Sequence, residues 1–253
     1  DLALLNVIAA NHWKRPIYFT SPYGELGFGA YLRADGLTYR LVPILRKNEN
    51  NVNDDVAYKN MMTKFSFGSA NIPGVYFDEE NRRHLLTIRQ AYASAAQSMA
   101  DDGRKEESKK LLEKCDKGVT PVDMPYGLVS RGNQHNIISI SMLEAAYKAG
   151  YTELSDRISR DVKKDIDQQM IYYAALGHMT QQELQQRLQD PESLNAKQRN
   201  LYSEIDQTIR IQGYLNYLET RYKAPPKPNS ELPLIMKSDS PKTGAQKVDS
   251  GKK

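Results

Sequence analysis

The chain has 253 residues, which is long enough to bury a substantial core in one large domain or two small ones. Hydrophobic residues make up 40% and charged residues 26%, a balance typical of a folded globular protein. The formal net charge is +4, but the six lysines and three acids after residue 223 contribute most of it, so the body gives no indication of a nucleic-acid interface. The single cysteine excludes an intramolecular disulfide framework and a multi-cysteine zinc site.

The first region, residues 1–75, has the pattern of a small α/β element with two short strands. Apolar spacing predicts a helix over Leu2–Ala9, and two runs rich in aromatic and β-branched residues predict strands at Ile17–Thr20 and Thr38–Leu45. Tyr31–Leu32 is predicted as a short helical turn and Asp54–Phe65 as a helix. The chain opens inside an apolar pattern, so we expect it to be part of a longer polypeptide whose upstream residues help to pair the strands.

The second region, residues 76–223, is predicted to be helical throughout. Apolar residues recur at three- and four-residue steps, and glycines at Gly103 and Gly150 are placed to end helices in the left-handed conformation. The predicted helices lie at about 85–99, 105–114, 138–146, 154–170, 181–188 and 197–222. The fold class is therefore mainly α, with helical hairpins behind the small α/β element.

The helical hairpins resemble tetratricopeptide repeats. Small residues recur near Gly103 and again near Gly150, which would let antiparallel helices approach closely. The two glycines lie 47 residues apart, against about 34 in a regular repeat, so a loop rich in proline and glycine is inserted. A generic helical bundle without repeat ancestry is the alternative.

The last region, residues 224–253, is predicted to be a disordered tail. Its prolines, lysines and small polar residues cannot bury enough apolar surface to offset the entropy of ordering them. The apolar strip at 232–236 is a candidate for docking onto the body of the protein.

The residue types that carry out catalysis form no recognisable pattern. The four histidines are scattered and lack metal-ligand spacing, and Cys115 occupies a core position on a helix without a nearby histidine. We therefore predict no catalytic residue, no metal site and no cofactor in this chain.

One aromatic and cationic cluster is a candidate site for binding or for contact with another domain. An indole and a phenol beside two cations could stack on a sugar or hold a phosphate. The structural interpretation, which we favour, places Trp13 in the core between the first helix and strand while the cations point to solvent. The candidate residues are Trp13, Lys14, Arg15, Tyr18, Tyr39 and Arg40.

Four stretches resemble a large bacterial family of multi-spanning membrane proteins of unknown function. The resemblance covers roughly residues 1–180 and is most specific in the first 45. It is found in the runs at 11–19, 31–43, 54–65 and 75–78, and it continues through the helix pair at 82–115. That family is related to C-type glycosyltransferases and to protein O-mannosyltransferases.

The resemblance implies a function for the parent polypeptide. In such enzymes a sugar is transferred to a protein hydroxyl, and the catalytic carboxylate lies between early membrane spans, which are absent here. The chain would then be a non-catalytic C-terminal domain on the extracytoplasmic (periplasmic) face of the inner membrane. Its partners would be the membrane-spanning part of the same polypeptide, and an acceptor protein or glycan, with no nucleic acid.

Two other functions are compatible with the residues. The helical hairpins could form a stand-alone adaptor that binds peptides in a groove. The cluster around Trp13 could instead belong to a carbohydrate-binding or carbohydrate-active domain.

Overall fold

The computed structural model describes residues 2–22, 27–45 and 52–223. The predicted tail and its apolar strip at 232–236 lie outside these residues. The mainly α fold is confirmed. The helices are α1 (Leu2–Asn11), α2 (Asp54–Thr63), α3 (Glu79–Asp101), α4 (Lys105–Gly118), α5 (Gln134–Ala149), α6 (Thr152–Ala175), α7 (Gln181–Arg187), α8 (Ala196–Asn200) and α9 (Tyr202–Lys223).

A small antiparallel sheet follows α1. Its strands are β1 (Tyr18–Phe19), β2 (Leu32–Ala34) and β3 (Tyr39–Leu41), in the order β1-β3-β2. The two predicted strands are confirmed as β1 and β3. The helical turn predicted at Tyr31–Leu32 is only partly right, because a single 3-10 turn at Gly29–Tyr31 gives way to β2. The strands pair with one another, with β3 between β1 and β2, and a pairing partner in upstream residues stays a prediction.

Two helix pairs, α3–α4 and α5–α6, form the centre of the protein. Gly103 and Gly150 have positive φ angles of 81° and 71° and follow α3 and α5, as predicted. Small residues on the facing sides, including Ala95, Ala96 and Ala146, are buried and allow α3 to pack against α5. The tetratricopeptide likeness itself stays a prediction.

The helix predicted over 197–222 is two helices, α8 and α9, separated at Leu201. Helix α9 contacts both hydrophobic clusters, with Ile205 in the small one and Leu215 in the main core. Gln198 of α8 is buried and donates to the carbonyl of Tyr173 at 3.0 Å, beside a small cluster that includes Leu194. The later part of α9, including Leu215, packs into the main core.

The main core runs from α2 into the helical region. Met61 of α2 is 1% exposed, and its carbonyl accepts a hydrogen bond from the Tyr92 hydroxyl at 2.8 Å. Lys114 of α4 also reaches the end of α2, where its Nζ donates to the carbonyls of Met61, Met62 and Phe65. A cation at a helix C-terminus satisfies carbonyls that have no partner within the helix. The domain division near residue 75 stays a prediction.

Candidate functional site

The segment from Trp13 to Arg15 lies at the surface, directly after α1. His12 and Trp13 both have positive φ angles, of 48° and 58°, which is uncommon for two consecutive residues other than glycine. Asn11 stabilises this turn, because its carbonyl accepts from the Lys14 amide at 2.9 Å and its Oδ1 accepts from the Arg15 amide at 3.0 Å. The turn ends α1 and leads the chain into β1.

Trp13 is 49% exposed. The interpretation that its indole fills the core between α1 and β1 was therefore wrong. Lys14 and Arg15 are also exposed, and neither side chain forms an ion pair with another described residue. An aromatic ring next to two unpaired cations is thus available to a partner.

Replacing Trp13 with alanine is expected to lower the free energy of unfolding by only about 1 kcal/mol, because half of the ring is already in water. The matched control is Leu32→Ala in β2, where a side chain that is 1% exposed should cost about 3 kcal/mol. Urea unfolding followed by far-UV circular dichroism measures both. Equal losses in the two variants would contradict the exposed position of Trp13.

The other three predicted residues lie on the sheet. Tyr18 of β1 and Arg40 of β3 are direct cross-strand neighbours. Tyr39 is half-buried, and burial raises the pKa of its hydroxyl. Of the six predicted residues, only Tyr39 lines the cavity of about 190 Å³ between the sheet and α3, opposite Gln90 and Ser94. The other five predicted residues do not line this cavity.

A buried carboxylate, which the sequence analysis did not identify, organises this element. Asp35, just after β2, is 3% exposed. Its Oδ1 accepts from Arg33 Nε at 3.2 Å and from Asn53 Nδ2 at 3.3 Å, and its Oδ2 accepts from the Tyr18 hydroxyl at 3.3 Å. Its backbone carbonyl accepts from Asn60 Nδ2 at 3.0 Å. One residue thereby joins two strands to both ends of α2.

The glycine after Asp35 is required for this arrangement. Gly36 has a φ of +127°, a conformation that other residues rarely adopt. A Cβ added there would lie 2.9 Å from the ring of Phe65. The turn between β2 and β3 can therefore approach the chain that follows α2 only because this position has no side chain.

Replacing Asp35 with alanine is expected to cost about 3 kcal/mol, because it leaves the donors of Asn53 and Tyr18 without their acceptor and Arg33 without its ion pair. Urea unfolding gives the magnitude, and hydrogen exchange should show lost protection in the strands. Asp156→Ala is the control, because its ion pair with Lys223 is largely exposed and should contribute less than about 0.5 kcal/mol. A cost at Asp35 as small as that of the control would contradict the role assigned to it.

Residues 1–60 match the family model described as TMEM260-associated domain 2. The match covers about a quarter of the 253 residues and indicates a TMEM260-like family for this segment. It includes Asp35 and each of its hydrogen-bond partners described above. No curated protein and no solved structure matches the chain. No helix in the described ranges is both long enough and apolar enough to cross a membrane.

Outside the matched segment, a cluster of buried aromatic and charged groups holds the loop between α4 and α5. Arg89 of α3 is 1% exposed and donates to the carbonyl of Met124 at 2.9 Å. Its guanidinium also lies over the ring of Tyr126, 4.7 Å from the centroid, and the Tyr126 hydroxyl donates to Asp116 at 2.6 Å. A ring nitrogen of His135 lies 2.5 Å from the carbonyl of Pro125. The inserted loop is thus fixed on the helices rather than free.

A polar network beside it joins α5, α6 and α9. Asn133 donates to Gln169 at 2.9 Å and to Thr208 at 2.8 Å, while Asn136 donates to Asp165 at 2.7 Å. Gln169 also donates to Asp165, at 2.7 Å. Because these buried groups satisfy one another, we interpret the network as a structural joint between helices.

The described residues form neither a metal-ligand group nor a reactive thiol. They contain no group of three or more histidine, cysteine, aspartate or glutamate side chains placed to hold a metal ion. Cys115 is 1% exposed, as predicted for a core residue, and burial raises the pKa of its thiol to about 12. A thiol with so high a pKa is a poor nucleophile.

Proposed function

We propose that this chain is a non-catalytic, extracytoplasmic C-terminal domain of a membrane glycosyltransferase-like polypeptide. Sugar transfer to protein acceptors would be performed by the membrane-embedded part, and this domain would dock an acceptor or partner subunit, or brace the membrane part. The observation behind the proposal is the family-model match over residues 1–60, the segment in which Trp13, Lys14 and Arg15 are exposed.

The geometry of that segment suits a docking surface. Tryptophan and arginine are enriched among the residues that contribute most to protein–protein binding. Here Trp13 and Arg15 lie two residues apart on a short turn held by Asn11, and the neighbouring sheet is braced by the buried Asp35. A partner would therefore meet a preorganised surface, which lowers the entropic cost of binding.

The first test reads the coding sequence upstream of Asp1. The proposal requires several apolar segments of about 20 residues there. An upstream sequence without such segments would exclude a membrane glycosyltransferase-like parent.

The second test measures binding. The membrane-embedded part, purified in detergent, should retain the wild-type chain and bind the Trp13→Ala/Arg15→Ala variant at least about tenfold more weakly, as expected for interface residues of this type. Lys163 and Lys164 are both exposed on α6, so Lys163→Ser/Lys164→Ser is a control for lost positive charge. Equal retention of all three proteins would show that the segment after α1 is not the docking surface.

A stand-alone adaptor is the second candidate, and the packing of α3 against α5 in two successive helix pairs favours it. Peptide and glycan arrays probed with the whole chain separate the candidates. Peptide binding that survives Trp13→Ala/Arg15→Ala would favour an adaptor that uses the helical pairs. Glycan binding that this variant loses would favour a carbohydrate-binding domain.

A further inference from the structure

Helix α1 exposes an unusually apolar surface. None of its ten residues is buried, and the exposed fractions of Leu2, Leu5 and Val7 are 73%, 51% and 53%. It contains no charged side chain. An exposed helix of a globular protein ordinarily presents charged or polar residues to water on the face that is not packed. Helix α1 lacks such a face.

The burial pattern shows how α1 is oriented on the rest of the chain. Its half-buried residues are Leu4, Ile8 and Asn11, which recur at four- and three-residue steps and so share one face. The other positions are all exposed, and Asn6 is their only polar residue. They are Leu2, Ala3, Leu5, Asn6, Val7, Ala9 and Ala10. More than half of the circumference of α1 is therefore apolar and uncovered by described residues.

The residues after α1 add positive charge and an amphipathic ring. Trp13, Lys14 and Arg15 are exposed, and residues 2–22 contain no aspartate or glutamate. Tryptophan prefers the boundary between lipid and water, where lysine and arginine extend their charged groups to the headgroups. This order of side chains is complementary to an anionic bilayer surface.

We propose that α1, together with Trp13, Lys14 and Arg15, inserts into the surface of a bilayer that contains anionic lipids. The ten residues of α1 cover about 15 Å, and the exposed Trp13, Lys14 and Arg15 directly after them place this end of the helix in the interfacial region. A helix that binds a protein groove presents one apolar stripe and a polar back, whereas α1 is apolar over most of its surface, which favours lipid.

Trp13 and Arg15 also belong to the proposed docking surface, but lipid binding and protein binding can be tested separately. Pure lipid vesicles contain no protein, and the binding test described above uses detergent and no bilayer. Either result can therefore be positive while the other is negative.

The test uses the fluorescence of Trp13, the single tryptophan of the chain. The whole chain is titrated with vesicles of equal parts phosphatidylcholine and phosphatidylglycerol, and bound protein is measured by flotation. The Trp13 emission should move to shorter wavelength as the ring leaves water. The Leu2→Ser/Leu5→Ser/Val7→Ser variant should bind the vesicles about 100-fold more weakly, because it removes three aliphatic side chains that would be partly buried in the bilayer.

The charge is tested separately. Lys14→Ser/Arg15→Ser should weaken binding to these vesicles by about 25-fold and have no such effect on vesicles of phosphatidylcholine alone. Two control variants change matched groups on α6, Lys163→Ser/Lys164→Ser for charge and Ile171→Ser/Tyr172→Ser for exposed apolar area, and both should behave like the wild type. All of these positions are exposed, and far-UV circular dichroism checks the fold.

Three outcomes would overturn the inference. The first is an unchanged emission together with no binding in flotation, as expected if α1 serves only a protein partner. The second is binding by the α1 variant that equals the wild type. The third is flotation without an emission shift, which would assign the binding to the lysines after residue 223.

Discussion

Replacing Gly127 with alanine is expected to destabilise the protein by about 3 kcal/mol or more. A Cβ at this position would collide with the backbone carbonyl oxygen of Asp161 and would lie 3.0 Å from Cβ of Asp165. No side-chain rotation relieves a contact with backbone, so the loop would have to move away from α6. That movement would also strain the hydrogen bonds by which Arg89 and His135 hold the same loop.

The matched control for Gly127→Ala is Gly132→Ala, in the same loop. Gly132 has a φ of +58°, and a Cβ added there would have no described heavy atom within 4 Å. Alanine at this position therefore meets only the cost of the left-handed conformation, about 1 kcal/mol. Urea unfolding of both variants measures the difference. If Gly127→Ala is as stable as Gly132→Ala, the loop around Gly127 does not approach α6 as closely as described.

His135 should make the protein lose stability as the pH falls from 6.5 toward 4. Burial lowers the pKa of this imidazole from 6.5 to about 4, with a further contribution from the positive charge of Arg89. The folded protein therefore favours the neutral ring, which can donate to the carbonyl of Pro125. The stability that this preference contributes is fully present above pH 6.5 and is lost as the pH falls toward 4. The loss should be about 3 kcal/mol.

The variant that tests this expectation is His135→Gln, which keeps a donor for the Pro125 carbonyl and removes the titrating group. Between pH 6.5 and 4, the free energy of unfolding of this variant should change much less with pH than that of the wild type. His84→Gln is the control, because His84 lies exposed on α3 and its replacement should leave the wild-type profile. Urea unfolding across the pH range compares the three proteins. A wild-type profile that is flat between pH 6.5 and 4 would contradict the burial of His135 as a neutral ring.

The helical part of the fold could be predicted because its signals are local. Apolar spacing located α3 through α6, and Gly103 and Gly150 marked two turns that need a left-handed residue. The division at Leu201 could not be predicted in this way. Gln198 is buried by its hydrogen bond to the carbonyl of Tyr173, while α9 packs on both hydrophobic clusters, and no pattern within 197–222 encodes these distant contacts.

The candidate site was predicted only in part. Trp13, Lys14 and Arg15 were recognised by residue type, but whether the indole is buried depends on what packs beside it. The carboxylate of Asp35 was missed because its partners are distant in sequence: Tyr18 lies 17 residues before it and Asn53 lies 18 residues after it. A polar residue beside a turn glycine gives no indication that such partners converge on it. Its near-complete burial became visible only in three dimensions.

The matched segment ends at residue 60, one turn before the end of α2. The next residue, Met61, is the one that Tyr92 and Lys114 both hold through its carbonyl. A recombinant fragment cut at that point would lose the last turn of its helix and uncover apolar side chains on both pieces. The segment recognised by sequence is therefore not a unit that can be transplanted alone, and a graft onto another protein would need to extend through α4.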